Sequence, residues 1–130
     1  MRASLEGLWS RVAPGGILLV QFKNFEKLVA ERQRFLHLSW SQPPDESIAV
    51  RLYDYHPDRV DFNVILLTRH GAEWHLRHQV TALQPYRADD VSIPLRELGA
   101  EVSVFGGLAL DGFDTATSED VLVLGVRSGN

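Results

Sequence analysis

Cysteine is absent from all 130 residues. Disulfides, thiol nucleophiles and cysteine metal sites are therefore excluded. Basic runs are missing too, and the formal net charge is −4. Nothing in that charge pattern supplies the field that a nucleic-acid partner requires. No apolar stretch approaches the roughly 20 residues that cross a bilayer as a helix. The N-terminus has no apolar signal core, so a cytoplasmic address without a membrane partner is the expectation. A G-x-S-x-G nucleophile elbow is lacking, which argues against hydrolysis. The five histidines form no H-x-H or H-x-x-x-H pair on a matching element, so no metal is expected. His75 and His78 are three apart, and on a strand that spacing sends them to opposite faces. Asp111, Asp114, Glu119 and Asp120 lack EF-hand spacing and read as a solvated acidic loop.

What is present describes a globular chain. Hydrophobic residues make up 45% and charged residues 23%, and the length allows one domain, 1–130, with a real core. The most informative stretch is 8–25, LWSRVAPGGILLVQFKNF. Pro14 cannot continue a helix and biases Ala13 out of the helical region. Gly15 and Gly16 permit a tight reversal. Ile17-Leu18-Leu19-Val20 then runs without polar alternation, the pattern of a strand covered on both faces in a parallel α/β sheet.

Before that turn, Leu5, Leu8, Trp9 and Val12 keep helical spacing over 4–12. After strand 17–22, Asn24 is a good N-cap for a helix that carries Phe25, Leu28, Val29 and Arg32 on one face to about residue 34. Residues 39–47, with Pro43-Pro44, read as a loop. The period then changes to two. Ile48, Val50 and Leu52 alternate with Ala49, Arg51 and Tyr53. Val60, Phe62, Val64 and Leu66 alternate with Asp61, Asn63, Ile65 and Leu67. Trp74, Leu76, Val80 and Ala82 alternate with His75, Arg77, Gln79 and Thr81. Turns at 56–59 and 70–72 join these into a three-stranded antiparallel meander over 48–83. Asp89 and Asp90 then mark a helix start and Gly99 its stop, with Pro94 making that helix short or irregular. A strand at 102–105, a Gly/Asp/Ser/Thr-rich loop at 106–120 and a buried strand at 121–126 complete the chain. No helix separates the last two strands, so they should be antiparallel.

This order resembles the C-terminal half of class I S-adenosylmethionine-dependent methyltransferases. In that family a helix ending in L-x-P-G-G feeds the fifth strand, and in one branch an (R/K)-N-(Y/F) tripeptide follows it. Here those residues are Val12-Ala13-Pro14-Gly15-Gly16 and Lys23-Asn24-Phe25. Further family-like pieces are Leu83-Gln84-Pro85-Tyr86-Arg87-Ala88-Asp89, Leu98-Gly99-Ala100-Glu101-Val102 and Phe105-Gly106. The branch it is most similar to includes glycine/sarcosine-type N-methyltransferases. The resemblance implies an α/β fold: strands five to seven of a Rossmann-like sheet, with the meander inserted between the fifth and sixth. It implies methyl transfer from S-adenosylmethionine to N or O of a small-molecule acceptor. The family's glycine-rich loop and ribose-binding acid have no counterpart here. Gly15-Gly16 precedes a strand, and Gly106-Gly107 leads to no helix. The expectation is a cofactor-binding N-terminal half outside this sequence, a chain inactive alone, and assembly with a separate half or with itself. The other reading is a non-catalytic interaction or ligand-binding subunit built on the same fold.

Candidate acceptor contacts follow. Lys23 and Asn24 lie just past the carboxyl end of the first strand, the edge that faces the ligand crevice in open α/β sheets. A lysine there holds an anion by charge, and Asn24 offers a donor and an acceptor. In related enzymes an arginine in this region helps bind an acceptor carboxylate. A solvated lysine beside an asparagine that only caps the helix is the competing reading. Arg51, Tyr53 and Arg77, with Asn63, His75 and Gln79, share the polar faces of the meander. They line either an acceptor site, a subunit contact or the solvated side of a sheet.

Overall fold

A computed structural model describes residues 1–129 and divides the chain into two compact units. The first comprises Met1–Ala30 and the chain from Tyr86 onward, and the second is Glu31–Pro85.

The first unit contains α1 (Arg2–Trp9), β1 (Ile17–Lys23), α2 (Phe25–Glu31), α3 (Ala88–Glu97), β6 (Glu101–Phe105) and β7 (Asp120–Val126). Its sheet has the order β1-β7-β6, antiparallel at both pairings. Ile17 lies opposite Val126 and Lys23 opposite Asp120, while Glu101 also lies opposite Val126. The expected antiparallel closing pair is therefore observed. Period two places Leu18, Val20, Phe22, Val102, Val104, Val121 and Val123 on one face, where they pack with Leu5 and Trp9 of α1 and Val91 and Leu95 of α3. Each fully buried aliphatic side chain of this kind contributes about 1.5–3 kcal/mol. Gly125 lets the helices close on the sheet: a Cβ there would meet Ala100 at 3.4 Å and Leu95 and Trp9 at 3.6 Å. The turn before β1 is pinned from the other end of the unit. Gly15, at φ +80°, donates its N–H to the Arg127 carbonyl at 3.0 Å, and Arg127 N–H donates to Gly16 at 2.9 Å. The Arg127 guanidinium donates to the Trp9 and Val12 carbonyls and lies 5.2 Å from the centre of the Trp9 ring.

Three sequence expectations change here. The apolar run of β1 suggested a strand covered on both faces in a parallel sheet. Instead β7 is central, β1 pairs with β7 alone among the described residues, and Ile17 and Leu19 are 55% and 50% exposed. An apolar run shows that neither face suits water, but it does not supply the layer that would cover each face. The helix after Asn24 ends at Glu31 rather than near residue 34, because Arg32 takes a left-handed φ of +54°. The helix at 88–97 runs through Pro94 as one element. Burial of Val91 and Leu95 against the sheet outweighs the lost backbone bond.

The second unit contains β2 (Ser39–Ser41), β3 (Ser47–Tyr55), β4 (Val60–His70) and β5 (Glu73–Leu83), paired in that order and antiparallel throughout. The meander is present, with a fourth strand, β2, in a segment that reads as loop. Beyond β2, the same edge of β3 is taken by residues 34–36: Leu36 N–H donates to Arg51 O at 3.0 Å and Tyr53 N–H to Arg34 O at 2.7 Å. The register sets Trp40, Ile48, Leu67 and Leu76 in one row across four strands. Arg51, Val64 and Gln79 form a row on the opposite face. The alternation of β4 is therefore inverted relative to a simple reading. Phe62, Val64 and Leu66 share a face with the polar residues of β3 and β5, and Asn63 faces the other way. β4 is apolar on both faces, so its pattern alone leaves the register open.

Candidate functional site

The carboxyl end of β1 is held to the chain before β7. Lys23 closes β1 and pairs with Asp120 at 3.3 Å, its side chain still more than half exposed. Asn24 is only 1% exposed. Its Nδ2 donates to the Thr115 carbonyl at 3.0 Å and the Ser118 carbonyl at 2.8 Å. Its backbone N–H donates to Glu119 O at 3.1 Å, and its carbonyl accepts from Leu28 N–H at 3.2 Å. The carbonyl thus starts α2, while the side chain is committed to the loop rather than to capping. Lys27 donates to the Glu119 carboxylate, and that hydrogen bond holds the Glu119 carboxyl below its ordinary pKa. Lys23 is consequently the accessible cation at this strand end, and Asn24 is its anchor.

Three of the four glycine N–H groups in the two pairs are already bonded. Gly15 N–H is bonded to Arg127, and Gly16 N–H to Ala13 O at 2.8 Å. Gly106 N–H is bonded to Asp111 O at 2.8 Å, and a Cβ at Gly106 would meet Ser118 Oγ at 2.9 Å.

In the second unit, Arg51, Tyr53 and Arg77 do share one face, as the register requires. Arg51 is turned onto the neighbouring segment: Nη2 donates to Ser39 Oγ at 3.0 Å and to the His37 carbonyl at 3.3 Å. Its Nε is buried with no hydrogen-bond partner among the described residues. Tyr53 is buried, with Phe62 and Tyr55 ring centres at 5.5 and 6.2 Å. Arg77 lies on β5, whose residues are exposed up to Ala82.

The opposite face holds a polar chain that sequence reading missed. Arg34 donates to Asp54 Oδ1 through Nε at 3.2 Å and Nη2 at 2.8 Å. Asp54 Oδ2 accepts from Asn63 Nδ2 at 3.1 Å, and Asn63 Oδ1 lies 2.8 Å from His78 Nε2. With its amide nitrogen directed to a carboxylate, Asn63 can only accept from His78. The imidazole is thereby fixed with a proton on Nε2, leaving Nδ1 as the acceptor in its neutral form. No signal in the sequence marks this set, because the contacts join residues brought together only by the β3-β4-β5 register.

No family model and no curated protein matches this chain. Solved structures do. An S-adenosylmethionine-dependent methyltransferase from Clostridium acetobutylicum superimposes with a TM-score of 0.74 at 11% identity, over 98% of this chain and 51% of that one. The CcbJ methyltransferase from Streptomyces caelestis gives 0.67 at 14% identity, over 99% and 50%. CalS10, an amino pentose methyltransferase from Micromonospora echinaspora solved with S-adenosylmethionine bound, gives 0.67 at 15% identity, over 98% and 50%. The chain spans about half the length of these structures. No helix of the described residues is long and apolar enough to cross a membrane. The likeness establishes the architecture, a partial Rossmann-like α/β fold of the kind found in class I S-adenosylmethionine-dependent methyltransferases.

Proposed function

We propose that this chain is the acceptor-side portion of an S-adenosylmethionine-dependent methyltransferase acting on N or O of a small molecule. One observation carries the reading: nearly the whole chain superimposes on about half of three methyltransferases. The amino pentose acceptor named for CalS10 makes a polar, amine-bearing small molecule the class to test first. The described residues do not fit the methyl donor. The backbone N–H groups of Gly15, Gly16 and Gly106 already have partners, and neither glycine pair opens a helix after a strand. The proposal accordingly calls for a cofactor-binding half, and the β1 edge is the surface proposed to receive it. The free edge of β1 and the exposed Ile17 and Leu19 are suited to another strand and its covering layer. That half is a further segment of the same polypeptide or a separate one.

Lys23 is assigned to the acceptor. It stands at the carboxyl end of β1, where open α/β sheets meet their ligands. Once the enzyme is completed by its cofactor half, Lys23→Ala should lower the specificity constant for the acceptor roughly ten- to a hundredfold, the effect of losing one charge-assisted contact. Affinity for S-adenosylmethionine should stay the same. Titration of this chain alone with S-adenosylhomocysteine should show no binding in the micromolar range. A micromolar constant there would overturn the division of labour, and unchanged acceptor kinetics in Lys23→Ala would remove the residue from the site.

A further inference from the structure

The meander has a second face, opposite the one that carries Arg51, Tyr53 and Arg77, and it is largely apolar. Its first row is Trp40, Ile48, Leu67 and Leu76. Val50, Ile65 and His78 form the next row. Leu52, Asn63 and Val80 form the third, with Phe35 bridged to Leu52 at its edge. Trp74 continues the face along β5 beyond Leu76. Residues 32–85 contain strands and connections but no helix. The second unit therefore has no layer of its own to lay on this face, although an apolar sheet face calls for one. Phe35, Trp40, Trp74, Leu76 and Val80 are between 44% and 64% exposed. At the size of aromatic and aliphatic side chains, these five leave roughly 500–600 Å² of apolar surface in water. Half-buried Ile48, Val50, Ile65 and Leu67 lie between them and add to it. The patch reaches the upper end for a soluble monomer and approaches the roughly 800 Å² that each partner contributes to a standard interface.

The charges around the face indicate what covers it. Ionisable residues close it at both ends, and they are already matched within the chain. Arg69, in the row of Trp74, pairs with Glu46 at 3.8 Å. At the other end Arg34 pairs with Asp54 at 2.8 Å and Arg59 with Asp61 at 3.1 Å. The polar groups inside the face are matched as well, since Asn63 donates to Asp54 and accepts from His78. A charged partner finds no excess of either sign to recognise. Two copies of such a face meet without like-charge repulsion. An apolar centre inside a matched polar rim is also the ordinary anatomy of a protein interface.

We propose that this face is where two copies of the chain dimerise. Each copy lays its meander on the other's, sheet against sheet and about 10 Å apart, around a two-fold axis. Pairing along the free edge of β5 would lengthen the sheet but leave the face in water, so face-to-face packing is the arrangement that covers it. The interface uses neither Lys23 nor the edge of β1, and it stands independently of the methyltransferase reading.

The test follows the full chain carrying Leu19→Lys, which blunts the β1 face so that association through it does not contribute. Sedimentation should show a dimer with Kd on the order of 10 µM. Adding Leu76→Lys should raise that Kd at least about thirtyfold, since the change enters the interface twice. Leu76 is exposed, so the variant should fold, and circular dichroism checks it. A second readout locates the contact. Two of the three tryptophans, Trp40 and Trp74, lie on the face, and the third, Trp9, is buried in the first unit. Acrylamide should therefore quench the fluorescence more strongly after dilution from about 200 µM to about 1 µM, across the Kd of the dimer. A chain still monomeric at about 200 µM overturns the proposal and leaves the face to a different partner. A folded Leu76→Lys chain that dimerises as tightly as its parent overturns it too, as does a dimer whose quenching is the same at both concentrations. Where Leu76→Lys does not fold, the quenching of its parent decides.

Discussion

Lys23 and Asn24 are adjacent in sequence and should separate cleanly in their effects. Asn24→Ala removes two hydrogen bonds and strands the carbonyls of Thr115 and Ser118 inside the protein. An unsatisfied buried acceptor costs about 1–3 kcal/mol. The loop at 115–118 is partly exposed and can turn one carbonyl to water, so about 2–4 kcal/mol is expected for the pair. Against a typical total of about 5–15 kcal/mol, that is a large fraction. With an ordinary urea slope the midpoint should fall by roughly 1–2.5 M. Trp9, buried in the same unit, supplies the fluorescence signal. Asn24→Asp should be worse at neutral pH, since a carboxylate has no N–H and would face two carbonyls. Part of that loss should return in acid, where the carboxyl regains a proton to donate. Lys23→Ala should stay within about 0.5 kcal/mol of the native chain, because its pair with Asp120 is solvated. If Asn24→Ala unfolds at the native urea midpoint, or Lys23→Ala unfolds as early as Asn24→Ala does, then the assignment of anchor and accessible cation is wrong.

Gly125→Ala should be close to neutral, since its Cβ would meet neighbours only at 3.4–3.6 Å. Gly125→Leu should lose about 1–3 kcal/mol or more by overpacking against Leu95 and Trp9, measured by urea unfolding. The Glu119 carboxyl is held low by Lys27, so its contribution to stability is present above the unfolded carboxylate pKa and is lost as pH falls through the lower folded value. Glu119→Gln should therefore be less stable than the native chain at pH 7 and approach it near pH 3, and parallel pH–stability curves would contradict this. Nitrogen-15 NMR of the imidazoles should show neutral His78 with its proton on Nε2, and Asn63→Leu should restore a mixture of tautomers. A native His78 already in that mixture removes the fixed-tautomer reading. Leu19→Lys should reduce self-association of the isolated chain in sedimentation experiments. A native chain that stays monomeric at high concentration would show that the β1 face is not sticky.

The parts of the fold visible in the sequence are those where one periodicity dominates. Helical spacing of Leu5 and Trp9, the Pro14-Gly15-Gly16 turn and the absence of a helix between β6 and β7 marked the first helix, the entry to β1 and the antiparallel closing pair without any long-range information. Strands β3, β4 and β5 were visible from period two, but their faces were not. Ile65 and Leu67 are as apolar as Val64 and Leu66, so β4 fits its neighbours in either orientation. Only the pairing of Arg51 with Val64 and of Asn63 with Leu52 shows which was chosen. The Arg34–Asp54–Asn63–His78 chain depends on that choice and was invisible for the same reason. β2 was missed because its residues, Ser39, Trp40 and Ser41, follow no periodic run. They become a strand by pairing with Ser47, Ile48 and Ala49.

Asn24 and β1 show the same limit from the side of function. Asparagine before a helix is ordinarily a cap, and the local sequence offers no reason to send its amide to residues more than ninety positions away. The choice becomes intelligible only when the loop before β7 is brought beside the end of β1. That loop carries carbonyls which need donors, and Asn24 is the buried group able to supply two. A similar argument applies to Ile17 and Leu19. On a strand whose outer face is meant for water, those positions should resemble Gln21 and Lys23, which continue the same face toward the carboxyl end. The face changes from apolar to polar along its length. The apolar part is suited to a covering layer and the polar part to water or a ligand, which is the division that the proposed acceptor-side role of this strand end calls for.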